Sequence, residues 1–128
     1  MSIEITLEAD SRLNRDDIKA ILKACGVTEV TEKSDNFVAN FPESNMSVFF
    51  RDNLKNTDVL TEGMENEPWV IGSRMTFRYV IANYDKCESE LHEFVEKLAA
   101  LKEAFFVVAF QYEGIRAIRN QEGLRFVE

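Results

Sequence analysis

The single histidine of the chain, His92, follows Glu88 by four residues and precedes Glu96 by four. That spacing puts one imidazole and two carboxylates on one face of a helix, the beginning of a metal site. A zinc centre, however, needs three or four ligands with a supporting shell of hydrogen bonds. The neighbouring apolar stripe Leu91, Phe94 and Leu98 turns His92 toward the solvated flank. A wet helix face and no metal are therefore expected. A Ser/His/Asp or Cys/His arrangement, whose members can be remote in sequence, is left open by composition. Yet the chain has no GxSxG, GxGxxG, GxxxxGK or HExxH motif to place a nucleophile, a phosphate cradle or a metal-bound base. No catalytic residue and no cofactor is assigned, and a non-enzyme is expected.

Other charged residues have a simpler chemistry. Asp16 and Asp17 suit the positive end of a helix. Arg78, Arg116 and Arg125 fall on the nominally polar faces of strands in the second half. Gathered on an open sheet face they would hold a carboxylate or phosphate, whereas paired with Glu or Asp across strands they would only stabilise the sheet. The richest segment for function is 53–69. It carries Asp58, Glu62, Glu65 and Glu67 against the one base Lys55, interspersed with Val59, Leu60, Met64 and Trp69. Carboxylates around apolar anchors offer a basic partner both steering charge and a desolvated contact. The competing reading is a connector whose apolar residues tuck onto the sheet.

The elements that must position these residues follow from periodicity. Ile3, Ile5 and Leu7 alternate with Glu4, Thr6 and Glu8, which predicts a strand over 2–8 with one wet face. Ile18, Ile21, Leu22 and Cys25 recur at helical spacing between an Asn14/Asp17 cap and the stop Gly26, predicting a helix over 15–25. Extended segments over 27–32, 36–41 and 46–52 follow, separated by turn-forming residues. After the aperiodic segment, 74–82 alternates as a strand, and Asp85 with Glu88 resembles a capping box opening a helix that carries Leu91, Phe94, Val95, Leu98 and Leu101. The run 104–112 is apolar on both faces and predicts the most buried strand. Glu113-Gly114 and Asn120–Gly123 then turn the chain into strands over 115–119 and 124–127.

Each half, 1–53 and 69–128, thus reads as a βαβββ unit joined by the acidic loop. The expected fold is α+β, a single-domain two-layer sandwich: a mainly antiparallel sheet with two helices on one face. The length of 128 residues, with 45% hydrophobic and 30% charged residues, suits one domain with one core. Net charge is −8, which disfavours direct contact with nucleic acid or an anionic membrane and favours a basic protein partner. The first residues lack a basic and apolar leader and Ala104–Phe110 is too short to cross a bilayer, so a cytoplasmic location is expected. Cys25 and Cys87 share no CxxC spacing and are expected to be reduced structural thiols.

The strand-turn-strand stretch from Phe106 to Ile118, FVVAFQYEGIRAI, in a small acidic α+β chain, resembles bacterial toxin-immunity proteins, including those of contact-dependent growth inhibition systems. That resemblance implies a toxin inhibitor working by protein–protein interaction, which neutralises a cognate basic toxin, often a nuclease, by blocking its active site. Carboxylates would then take the place of nucleic-acid phosphates. Asp58, Glu62, Glu65, Glu67 and Trp69 are the expected partner-binding residues, with Glu43 and Asp52 as neighbours on the same side, in a monomer or weak dimer. A small acidic secretion or effector chaperone is the alternative, although a chain opening with a strand departs from the usual type III order. A small-ligand module or enzyme using the arginine-bearing sheet face is a further one.

Overall fold

A computed structural model describes residues 2–65, 67–101 and 103–127. In chain order the elements are β1 (Ser2–Asp10), α1 (Arg15–Ala24), β2 (Val30–Glu32), β3 (Asn36–Asn40), β4 (Ser47–Arg51), β5 (Ile71–Val80), α2 (Tyr84–Leu101), β6 (Phe106–Phe110), β7 (Gly114–Asn120) and β8 (Gly123–Phe126). All eight strands form one antiparallel sheet in the order β2-β3-β4-β5-β1-β6-β7-β8. Ile5, Leu7 and Ala9 of β1 lie in the same core as Ile18, Ile21 and Leu22 of α1 and Leu91, Phe94 and Leu98 of α2. Both helices therefore cover one face of the sheet, and the chain is an α+β two-layer sandwich.

Local signals explain most element ends. The Asn14 side chain accepts from the Asp17 N–H at 2.9 Å while the Asp17 carboxylate accepts from the Asn14 N–H at 3.2 Å, satisfying two donors that a helix start otherwise leaves orphaned. The second helix begins differently from expectation. A 3-10 turn over Ile81–Asn83 runs directly into it, so Asp85 sits inside the first turn and Glu88 is released from capping.

The βαβββ order does occur twice, but the sheet is not symmetric. The first meander joins the centre through its last strand, β4 against β5, and the second through its first, β6 against β1. The central pair β1–β5 thus carries the longest register, from Ser2 opposite Val80 to Asp10 opposite Ile71.

Two local departures shape the β6–β7 end of the sheet. The β6–β7 turn is centred on Gln111 and Tyr112 instead of Glu113-Gly114. Both adopt left-handed backbone, φ 50° and 63°, closed by the Glu113 N–H donating to the Phe110 carbonyl at 2.8 Å. Left-handed non-glycine residues cost about 1–3 kcal/mol each and persist where surroundings over-determine them. Here the Tyr112 N–H donates to Thr6 Oγ1 at 3.1 Å and its carbonyl accepts from the Glu62 N–H at 2.8 Å. Beyond this turn the β6–β7 register shifts between Val108 and Ala109. Such a bulge re-aims the side chains of its strand. Phe110, expected in the core, is 39% exposed.

Candidate partner-binding surface

The sheet face opposite the helices carries the acidic segment. The described residues of 53–70 cross it as a strap whose Val59, Met64 and Trp69 pack on Val107, Ile115 and Ile118 of β6 and β7. The apolar residues thus largely tuck onto the sheet, as the connector reading required, though Leu60 and Val70 remain 44% and 64% exposed. The chain re-enters β5 at Gly72, where a Cβ would lie 2.6 Å from the Ser11 backbone. Only glycine permits that approach.

Beneath the strap lies an ion pair that periodicity does not reveal. Glu8, fully buried, and Arg74 face each other across β1 and β5 with Arg74 Nε donating to Oε2 at 3.0 Å. The remaining lone pairs of Glu8 accept from the Leu60 N–H at 2.9 Å, the Thr61 N–H at 2.9 Å and the Thr61 hydroxyl at 2.6 Å. The remaining donors of Arg74 reach the Asn56 carbonyl at 2.7 Å and the Asp58 carbonyl. A buried charge is tolerated only when so fully satisfied. Every partner other than the pair itself belongs to strap backbone or to Thr61, so the pair fixes the strap on the sheet.

On this base the strap carboxylates are arranged. Asp58, Glu62 and Glu65 are exposed and Glu67 is half-buried. Among the described residues none of the four meets a cationic side chain. On the sheet itself Glu4 pairs with Arg78, Glu32 with Lys19 and Arg15, and Asp10 with Arg12. Among the described residues Asp35, Glu113 and Glu122 in the strand turns form no ion pair either, but they stand singly, whereas the strap gathers four carboxylates within ten residues. The two residues expected as neighbours are not free either. Asp52 takes Arg15 at 2.6 Å, and Glu43 takes Lys86 at 3.0 Å. Asp52 follows the end of β4, whereas Glu43 lies in the turn before its start. They occupy opposite ends of that strand, and each is taken by a helix residue, Arg15 of α1 or Lys86 of α2, and not by the strap.

Trp69 stands at the strap's exit, its ring 5.5 Å from that of Phe105. The Arg12 guanidinium sits over the other aromatic at 4.4 Å from the Phe105 centroid, a cation–π contact. Asp10 organises this end, accepting from Arg12 Nε at 3.0 Å and from the Phe105 N–H at 3.0 Å. Burial alone would raise the Asp10 carboxyl, but the Arg12 guanidinium and these N–H donors outweigh it and hold it below its usual value. Its folded pKa is thus depressed. The stabilisation is fully present above the ordinary value of 3.8 and is lost as pH falls below it toward the folded value. Asp10→Asn is expected to lower the denaturant midpoint at neutral pH and to flatten the acid decline. An acid limb identical to wild type would refute this role.

The three arginines do not gather. Arg78 lies on β5 beside Glu4, and Arg125 lies on β8, about 19 Å away across four strand spacings. Arg116 is swung to the helix side by the bulge and pairs with Glu88 of α2. Cross-strand or strand-helix pairing accounts for two of the three, and the anion cradle on the open face does not form. The helical trio also separates: Glu88 accepts from Arg116 and the Tyr79 hydroxyl, while His92 Nδ1 lies 2.9 Å from Glu96. Cys25 is half-buried and Cys87 buried, both free thiols; burial pushes the Cys25 thiol up to about 11, which keeps it protonated and poorly nucleophilic. Among the described residues no helix is long and apolar enough to cross a membrane.

Compared with family models, curated proteins and solved structures, the chain matches none.

Proposed function

We propose that this protein is an inhibitor of the immunity-protein kind, which binds a basic partner through its strap and blocks the partner's active site. The observation that carries this reading is the concentration of unpaired carboxylates on one anchored segment. Asp58, Glu62, Glu65 and Glu67 present carboxylates that meet no cation among the described residues, on a backbone pinned by Glu8 and Arg74. A backbone that is already ordered loses less entropy on binding, and unneutralised charge accelerates encounter with an opposite one. Leu60, Val70 and the open part of Trp69 supply apolar contact among the carboxylates. A basic nuclease toxin of a contact-dependent growth inhibition system is the partner class that the resemblance implies, with strap carboxylates standing where substrate phosphates would sit.

A client-holding chaperone needs an uncovered apolar sheet face, and here the strap lies over part of that face, which favours the inhibitor. The reading has a kinetic signature. Replacing Glu62, Glu65 and Glu67 together by glutamine is expected to slow association with the partner about tenfold or more at low salt and to flatten the salt dependence, with the unfolding midpoint unchanged. Stopped-flow association at several ionic strengths reads this directly. Equal rates and equal salt slopes for variant and wild type would remove the strap from the interface.

A further inference from the structure

On the helix side, away from the strap, a groove of about 500 Å³ opens between α2 and the β6–β8 end of the sheet. Its base is apolar, formed by Leu91, Val95, Val108 and Ala117. Its lip carries Tyr84, Phe110 and Phe126, which are 45%, 39% and 38% exposed. Isolated exposed apolar residues are ordinary, but several around one concavity of this size are the usual form of a small-molecule site. His92 stacks on Phe126 with ring centroids 4.0 Å apart and planes 12° from parallel, so one wall is a flat ring pair.

The groove also has a built polar end. The bulge turns Arg116 into it, where one guanidinium nitrogen meets Glu88 and the side chain stays 35% exposed. Glu88 is held in turn by the Tyr79 hydroxyl. Burial, and then the neighbouring Glu88 carboxylate, push the Tyr79 phenol up, so it remains a donor. A guanidinium has five N–H donors in a rigid fork. Among the described residues Glu88 is the acidic partner of Arg116, both line the groove, and the guanidinium keeps further N–H donors beyond the one that meets Glu88. A guanidinium oriented by a carboxylate that is itself oriented by a tyrosine is a preorganised anchor.

We propose that this groove binds a small amphipathic carboxylate, with its acid on Arg116 and its aromatic or aliphatic body along Leu91, Val108 and the His92–Phe126 ring pair. The site opens on the other side of the sheet from the strap, with Ile115 the lining residue that also packs under the strap, and the proposal does not depend on the inhibitor reading. Charge selects the anchor: the apolar body alone would be indifferent to an acid or its amide, whereas Arg116 distinguishes them by a charge-assisted hydrogen bond.

The test is a titration of the whole chain with 3-phenylpropanoate, and in parallel with 3-phenylpropanamide, followed by amide and imidazole NMR shifts. The acid is expected to shift Gly114–Ala117, Phe126 and the His92 ring, and the amide to bind about tenfold or more weakly. Arg116→Met is expected to bring the two to equal affinity, and Phe126→Ala to weaken both. Equal binding of acid and amide by wild type would overturn the carboxylate assignment. Shifts confined to other surfaces, or none at millimolar ligand, would overturn the site. A folded spectrum of each variant, with unperturbed strap amides at 58–65, separates a binding effect from loss of structure.

Discussion

Replacing Glu8 by glutamine is expected to destabilise the fold by about 3–5 kcal/mol, the usual cost of stranding one member of a buried ion pair. Arg74 would keep its charge under the strap without a counter-charge, and the one carbonyl oxygen of glutamine cannot replace both carboxylate oxygens toward Arg74, the Leu60 and Thr61 N–H groups and the Thr61 hydroxyl. Arg74→Met is expected to cost a similar amount by leaving the Glu8 carboxylate without its cation. The double variant Glu8→Leu with Arg74→Met is expected to recover part of this loss, because no charge is left buried. It does not restore the strap, however, since the Leu60 and Thr61 N–H groups then have no acceptor. Denaturant unfolding measures the first effect. Limited trypsin digestion measures the second, because Lys55 lies within the strap: cleavage there should be slow in wild type and fast in the double variant. Equal cleavage rates would show that the ion pair does not hold the strap.

The second large effect lies in the core between the layers. Phe94 of α2 is fully buried and meets Phe77 of β5 edge-on at 5.3 Å. Phe94→Ala removes both the buried ring and its aromatic partner contact, and is expected to cost about 3–5 kcal/mol. Phe110→Ala, at an exposed lip of the groove, is expected to cost about 1 kcal/mol or less. Side-by-side urea melts decide the matter. Comparable losses for the two would contradict the burial on which the layer arrangement rests.

The pattern of Ile3, Ile5 and Leu7, the stripe through Leu98 and the Asn14–Asp17 box are all readable because each is local: neighbours within four residues set them. The same alternation that locates β1 misdescribes Glu8. Its position on the nominally wet face is correct, but the strap covers that face, and Arg74 is 66 residues away. Nothing in the spacing of either residue announces a pairing at that separation. The strap has no period of its own, because its order comes from the side chains beneath it. Arg116 escapes for another reason. Alternation assumes a regular strand, and the register shift at Val108/Ala109 moves it to the helix side. Phe110 belongs to the same end of the sheet, where the apolar run 104–112 continues past the point at which α2 covers it. Of the binding residues expected from composition, Asp58, Glu62, Glu65, Glu67 and Trp69 do share one strap. Asp52 and Glu43 are engaged by Arg15 and Lys86 at opposite ends of β4.

The most direct measurement is a comparison of two baits in native lysate, wild type and the Glu62→Gln, Glu65→Gln, Glu67→Gln variant, at low and high salt, with retained proteins identified by mass. Wild type should retain one basic protein at low salt, release it at high salt and suppress its activity while bound, and the variant should fail to hold it. The same protein retained equally by both baits, or a set of unfolded clients held irrespective of salt, would contradict a strap-borne, charge-steered inhibitor.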